Sequence, residues 1–209
     1  GKCPPVKPWK LIDCALTPEG KTFSLHEHDG TYSIEVDGQP LMSTRLHTSE
    51  EKLAELACAR LKDVRGARVL IGGLGFGFTL RAALSSLAPD ATVIVAEIVA
   101  PVIAWNRDPA LPLAAGAMAD ARVSVVERDV AEVIRAARRE FDSIILDVDN
   151  GPTAMSASVN HRLYQAAGLN QIRGALRPGG CVGIWSAVPD DRFAGLLARA
   201  GFMVDVQRS

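Results

Sequence analysis

The sequence carries no excess charge of either sign, since 23 Lys and Arg side chains balance 24 Asp and Glu and leave a formal net charge of −1. Proteins that hold the phosphates of nucleic acids need clustered Lys and Arg. The local basic cluster at Arg135, Arg138 and Arg139 has the spacing of a solvated helix face. We therefore expect no nucleic-acid partner.

Cysteine and long apolar runs are also scarce. The four cysteines, Cys3, Cys14, Cys58 and Cys181, form no C-x-x-C pair and join no His and Cys cluster with the spacing of zinc ligands. No apolar run approaches the roughly 18 residues of a membrane span, and the first nine residues show no secretory pattern. These absences predict a cytoplasmic protein in a reducing compartment, without membrane contact and without a metal site.

Three short alternating runs follow an irregular stretch of about 20 residues that prolines punctuate. The runs cover residues 23–28, 31–36 and 39–45, and Asp29-Gly30 and Asp37-Gly38 divide them. Asp-Gly between alternating residues is a strong hairpin signal, because both turn positions take positive φ. The pattern predicts a small β-meander that is too small to be stable alone and must pack on the rest of the chain.

Strands and helices alternate through the remainder of the sequence. A capping-box pattern, Thr48 to Glu51, opens the first helix. Apolar strands are then predicted at 68–71, 92–96, 123–127, 143–146, 181–185 and 202–206, and helices at about 78–88, 100–106, 130–140, 159–176 and 190–200. This alternation indicates right-handed βαβ units in a mostly parallel sheet. The sequence predicts a doubly wound, Rossmann-like α/β domain over 48–209, preceded by residues 1–47 with the irregular segment and the meander.

Glycines recur at every second position where the first predicted strand meets its helix, at Gly73, Gly75 and Gly77. Glycine there lets the backbone approach a ligand and directs the N–H groups of the next helix toward it. Glu97 lies 20 residues beyond Gly77, where a carboxylate can accept the hydroxyl hydrogens of a ribose. Asp129 closes the third strand; it either accepts from an adenine amino group or caps the following helix, and one residue could do both.

The fourth strand ends in an acidic tip that contains Asp147, Asp149 and Asn150. Ligands of open parallel sheets bind beyond the carboxyl ends of the strands, so this tip faces the same crevice as the glycines. Two close carboxylates hinder each other's ionisation, and one of them can act as a base or bind an amine. We take Asp147 as the catalytic candidate and Asp149 and Asn150 as substrate-binding candidates. The alternative is an Asx turn formed by Asp149 and Asn150.

In this order, these residues resemble the class I S-adenosylmethionine-dependent methyltransferase fold and, within it, the spermidine synthase-like family. The stretch Gly73 to Arg81 resembles the family's glycine loop with its trailing Thr-Leu-Arg, and Phe141 to Asp147, followed by Gly151-Pro152, resembles its active-site strand. Residues 175–180 lead into a strand as in many methyltransferases. The resemblance covers roughly residues 23–205 and includes the small N-terminal β region.

The resemblance implies a polyamine-type or methyl transferase that uses S-adenosylmethionine or decarboxylated S-adenosylmethionine and leaves S-adenosylhomocysteine or methylthioadenosine. It implies that the three glycines line the cofactor, that Glu97 holds the ribose and that Asp129 holds the adenine. Asp147 falls at the aspartate that helps to deprotonate the attacking amine. The resemblance also implies a small-molecule substrate as the acceptor, whose identity stays open, as does the choice between methyl and aminopropyl transfer. A homodimer through the meander or the sheet edge is a further expectation.

The chain also departs from the family. Phe76 stands where the family has an aspartate that holds the aminopropyl amine. The family has a pair of acidic residues after the second strand, whereas here Glu97 is followed by Ile98 and Val99. Ser49 and Glu50 stand where the family's substrate-contacting Tyr and His are expected. The fold normally closes with an antiparallel strand pair, of which only 202–206 is predicted, so the chain is either truncated or a shorter member. These departures favour an alternative, a non-catalytic or regulatory relative in which Phe76 closes the amine site and the nucleoside pocket persists.

Overall fold

The computed structural model describes residues 6–147, 162–185 and 191–208. A four-stranded antiparallel sheet precedes a five-stranded parallel sheet. In these ranges none of the helices combines the length and the apolarity that crossing a bilayer requires. The same ranges hold no group of three or more His, Cys, Asp or Glu side chains placed to bind a metal ion.

The antiparallel sheet confirms the predicted meander and adds a strand to it. Asp29 and Gly30 have φ of 47° and 80°, and Asp37 and Gly38 have 49° and 77°, as the hairpin signal requires. In spatial order the strands are β1 (Lys10–Leu16), β2 (Thr22–His28), β3 (Thr31–Val36) and β4 (Gln39–Ser43).

The prediction of an irregular segment up to about residue 20 was wrong for β1. Most of its side chains are exposed, so no buried apolar alternation marks it in the sequence. Its structure comes from backbone pairing with β2, with an irregular register between Leu11 and Asp13. Prolines flank this strand instead of interrupting it, which is where a ladder tolerates them.

The strands of the parallel sheet are β5 (Arg68–Gly72), β6 (Thr92–Ala96), β7 (Val123–Val126), β8 (Phe141–Asp147) and β9 (Leu176–Trp185). Their spatial order is β7-β6-β5-β8-β9, which confirms the doubly wound α/β prediction. Strands β5 and β6 consist mainly of Val, Ile and Leu, as is typical of strands covered on both faces. The helices are α1 (Thr48–Cys58), α2 (Phe78–Ser85), α3 (Ala100–Arg107), α4 (Ala115–Met118), α5 (Val130–Ala136), α6 (Ala166–Ala175) and α7 (Asp191–Arg199).

Several boundaries differ from the predicted ones. The strand predicted at 202–206 does not form: Met203 and Val206 are exposed, and residues 202–208 pair with no described strand. Strand β9 begins earlier than predicted, because Leu176 already pairs with Phe141 before the register shifts. Helix α5 ends at Ala136 and not near 140, since Ala137 is extended, with ψ of 148°. The short α4 was not predicted.

Helix α1 begins without the predicted capping box. Its N-cap is His47, which makes no side-chain cap hydrogen bond, and Thr48 is already helical. Glu51 contacts the His47 ring instead, with Oε2 3.2 Å from Nδ1. The first turn of α1 therefore presents the carboxyl groups of Glu50 and Glu51 without the predicted cap.

The core has two parts, each containing inward-facing residues of the parallel sheet. One joins α1, α2 and α3 to the meander, whose Leu25 and Ile34 are fully buried in it. The other joins α5, α6 and α7 to residues such as Leu70 and Ile144. A hydrogen bond of 2.7 Å from Trp105 Nε1 to Asp13 Oδ2 also links α3 to β1. The meander thus packs on the parallel-sheet domain, as its small size predicts.

Candidate functional site

The three predicted glycines all take left-handed backbone conformations, with φ of +91° at Gly73, +53° at Gly75 and +79° at Gly77. A Cβ at Gly73 would meet no atom within 4 Å, so the backbone there borders open space. A Cβ at Gly77 would lie 2.5 Å from that of Ala114. Gly73 therefore leaves room for a ligand, whereas Gly77 allows close packing of the loop.

A narrow cavity lies at the carboxyl ends of β5 and β8, beside the first turn of α1. Its volume of about 20 Å³ accepts a group the size of one water molecule. The end of a ligand, and not a whole nucleoside, enters it. Its lining residues come from α1, the glycine loop, α2 and two strands: Glu50, Gly72, Gly73, Leu74, Gly75, Thr79, Ile145 and Asp147.

The cavity brings together three of the predicted site residues, Gly73, Gly75 and Asp147. It also contains Glu50 and Thr79, which sequence reasoning did not propose as site residues. The signal for Thr79 was its place directly after the glycine loop, at the start of α2. The signal for Glu50 was its place where the family resemblance expects substrate-contacting Tyr and His, although a carboxylate in a first helical turn is otherwise usual.

Glu50 is a carboxyl group of this cavity whose pKa burial perturbs. Burial, and after it the nearby charges of Asp147 and Glu51, raise its pKa from 4.5 to about 7. The guanidinium of Arg81 opposes this shift by favouring the charged carboxylate. Near neutral pH, Glu50 therefore exchanges between its neutral and charged forms.

An ordered group of side chains stands next to Glu50. The rings of His47 and Phe78 stack with centroids 4.7 Å apart, and the Arg81 guanidinium carbon lies 4.7 Å from the Phe78 centroid. Arg81 Nη1 also donates to the Leu113 carbonyl oxygen at 2.8 Å. Burial lowers the pKa of Arg81, while the charges of Glu51 and Glu50 raise it. These contacts hold the start of α1 against the start of α2.

Glu97 lies beneath the glycine loop and does not line the cavity. It is 8% exposed, and its Oε2 accepts from the Leu74 N–H at 2.9 Å while Oε1 accepts from the Val99 N–H at 2.9 Å. Burial raises its pKa, and the backbone donors oppose the rise. Glu97 thus connects the glycine loop to the end of β6 through a hydrogen bond. Its predicted contact with a ribose stays a prediction.

Asp129 stands at the N-cap of α5, where its Oδ1 accepts from the Ala131 N–H at 2.8 Å. The capping interpretation is confirmed, and the adenine contact stays a prediction. The substrate-binding candidates Asp149 and Asn150 lie outside the described residues. Asp147 is the last residue of β8 and the last described residue before that gap.

Phe76 does not close the cavity. Its side chain is 3% exposed and belongs to the hydrophobic core, and it is not among the lining residues. The left-handed glycines on either side turn the loop so that this side chain packs inward. The expectation that Phe76 fills the amine site stays a prediction, since a side chain that fills such a site is buried as well.

The parallel sheet, the glycine loop after its first strand and the cavity at its carboxyl edge define a class I methyltransferase-like fold. The chain is similar to a spermidine synthase from Thermotoga maritima, at 23% identity over 91% of this chain and 62% of that chain, with a TM-score of 0.69. It is also similar to a spermidine synthase in complex with the transition state analogue AdoDATO, at 22% identity over 91% of this chain and 62% of that chain, with a TM-score of 0.68. A probable spermidine synthase from Corynebacterium glutamicum is similar at 19% identity over 84% of this chain and 63% of that chain, with a TM-score of 0.57.

The protein therefore has a spermidine synthase-like fold. It spans about 62% of the length of the first two of these solved structures. No family model matches the chain. No curated protein matches it either.

Proposed function

We propose that this protein is a transferase that binds an adenosyl sulfonium and moves an alkyl group from it to a small acceptor. The observation that carries the proposal is the cavity that joins Gly73, Gly75 and Asp147 at the carboxyl edge of a spermidine synthase-like sheet. A structure similar to this chain is that of a spermidine synthase in complex with the analogue AdoDATO. That complex supports an adenosyl ligand for this fold.

The residues present fit such a ligand. The open space at Gly73 is a cradle that any side chain would fill, and the carboxyl groups of Glu50 and Asp147 suit a positively charged centre. When bound, an adenosyl sulfonium supplies an alkyl carbon on a positively charged sulfur, which leaves as a neutral thioether. The chain's own residues then bind and align the reactants, and such alignment lowers the barrier.

Between the two transfers, we favour aminopropyl over methyl transfer. S-adenosylmethionine carries a carboxylate beside its ammonium group, whereas its decarboxylated form carries the ammonium alone. A ligand carboxylate near Asp147 and Glu50 would be repelled, and an ammonium would be attracted. The proposed donor is therefore decarboxylated S-adenosylmethionine, with methylthioadenosine as the product.

The non-catalytic alternative rests on Phe76 at the amine site, and the small cavity beside Gly73 and Asp147 is open without lining by Phe76. This alternative becomes an outcome of the test below. Binding of adenosyl ligands without any transfer would favour it over the enzyme.

Thermal unfolding with a ligand panel tests the proposal. The panel contains decarboxylated S-adenosylmethionine, S-adenosylmethionine, methylthioadenosine, S-adenosylhomocysteine and NAD. A ligand at about 100 times its Kd adds about 2.7 kcal/mol, which raises Tm by about 5–10 °C for a chain of this size. We expect the largest shift with the decarboxylated donor and none with NAD. A flat response to every adenosyl ligand would overturn the proposal.

A further inference from the structure

We propose that Glu50 is the proton acceptor for the nucleophile of this site. The inference rests on the proposed transferase function and assigns a catalytic group on α1, in addition to the sequence-predicted Asp147 on β8. Glu50 and Asp147 come from different elements and line the same cavity. Because that cavity measures only about 20 Å³, a ligand atom inside it lies close to both carboxyl groups.

The charged and titratable groups around Glu50 come from three elements. Asp147 lies on β8, Glu51 on α1 and Arg81 on α2, and His47 contacts Glu51 at the start of α1. Burial and the two carboxylates together outweigh Arg81 and raise the pKa of Glu50 to about 7. A base whose pKa lies near the working pH combines a useful charged fraction with a useful proton affinity.

The proton balance of the step is simple. The nucleophile gives one proton to a carboxylate oxygen of Glu50 and keeps the electron pair of that bond. This pair forms the bond to the transferred carbon, and the pair of the broken carbon–sulfur bond stays on sulfur. Asp147 supplies the charge that keeps Glu50 basic and attracts a cationic reactant, so the two carboxyl groups have separate roles.

Titration of the side-chain carboxyl groups tests the assignment without any turnover. In protein labelled with ¹³C at glutamate Cδ, we expect one glutamate resonance to titrate near pH 7. It should be absent in Glu50→Gln and shifted to lower pH in Asp147→Asn, which removes a like charge. Glu55→Gln is the matched control, since Glu55 lies one turn further along α1 and is exposed; it should leave the resonance in place. If no resonance assigned to Glu50 titrates above about pH 5.5, the inference fails.

The pH profile of transfer gives the second readout, with decarboxylated S-adenosylmethionine and a simple diamine as probes. We expect kcat/KM to fall on the acid side of about pH 7, and Glu50→Gln to lose this limb together with about 10²–10⁴-fold in kcat. Glu55→Gln should keep the acid limb of the kcat/KM profile and the wild-type kcat. The thermal shift by methylthioadenosine should persist in Glu50→Gln, since this ligand carries no positive charge for the Glu50 carboxylate to attract.

These readouts separate the two proposals. Donor binding combined with wild-type transfer by Glu50→Gln overturns the role of Glu50 alone. A flat ligand panel overturns the transferase, and the proton-acceptor role with it, even where Glu50 titrates near pH 7.

Discussion

The carboxylate of Glu97 accepts a hydrogen bond from the backbone N–H of Leu74, 2.9 Å away, and so joins the end of β6 to the middle of the glycine loop. Its second oxygen accepts from Val99 at the start of α3. A single buried carboxylate therefore sets the positions of two segments that border the candidate site.

Replacing Glu97 by Gln should destabilise the protein by about 1–3 kcal/mol, because the amide can accept from only one of the two backbone donors and leaves the other unsatisfied. Denaturant unfolding measures the effect. Glu127→Gln is the control, since Glu127 is exposed at the end of the neighbouring strand. Equal midpoints for the two variants would show that these hydrogen bonds do not hold the loop.

Exchanging Gly77 and Gly73 for Ala should give two different phenotypes. Gly77→Ala places a Cβ 2.5 Å from that of Ala114 and also puts a side chain at a positive φ. We expect it to lower the free energy of unfolding by about 2–4 kcal/mol. Gly73→Ala meets open space and should cost about 1–2 kcal/mol, from the strained φ alone. It should also abolish the thermal shift by methylthioadenosine.

Gly116→Ala is the matched control for both variants, because Gly116 lies in α4, has no positive φ, and has no atom within 4 Å of the place that an added Cβ would take. It should be neutral or slightly stabilising. A Gly73→Ala protein that still responds to methylthioadenosine would contradict the cradle.

Two substitutions of Asp129 separate its capping role from the predicted adenine contact. Asp129→Ala removes the cap of α5 and should cost about 1 kcal/mol, whereas Asp129→Ser keeps a capping oxygen and should be nearly neutral. If the carboxylate also holds adenine, both variants should bind methylthioadenosine more weakly. Thermal unfolding with and without this ligand measures both effects, and normal binding by Asp129→Ser would refute the adenine contact.

The pH dependence of stability should report on Glu50. Its pKa is about 7 in the folded protein and near 4.5 when unfolded, so the folded state retains a proton that the unfolded state releases. The stabilisation from this proton is complete below pH 4.5 and is lost as the pH rises to about 7. We expect Glu50→Gln to gain about 1–3 kcal/mol relative to the wild type across this window. A constant difference between pH 4 and pH 8 would contradict it.

The sequence predicted the parts of the site that follow from topology. Strands of a parallel sheet end at one edge, so Gly73 after β5 and Asp147 at the end of β8 had to meet there. The hydrogen bonds from Glu97 to the Leu74 and Val99 backbone could not be predicted, because residue spacing along the chain does not say which backbone N–H groups lie near its carboxylate. Glu50 was missed because only the packing of α1 against α2 and β8 buries a carboxyl group that otherwise looks like a first-turn acid.

The two errors in strand prediction have opposite causes. Strand β1 has few buried side chains, and its pairing with β2 replaces the missing apolar signal. The apolar residues at 202–206 had the right composition, but no described strand lies beside them to complete a ladder. Strand formation depends on partners, and a partner cannot be read from the strand's own residues.

The hydrogen bond between Trp105 and Asp13 gives the molecule a built-in optical reporter. The Trp105 indole on α3 is 4% exposed, and its N–H donates to the Asp13 carboxylate on β1 of the antiparallel sheet. If the antiparallel sheet swings away, this ring meets water and its fluorescence emission moves to longer wavelength. In a variant with Trp9 and Trp185 replaced by Phe, the emission wavelength of Trp105 alone would report in real time whether the antiparallel sheet is packed against α3.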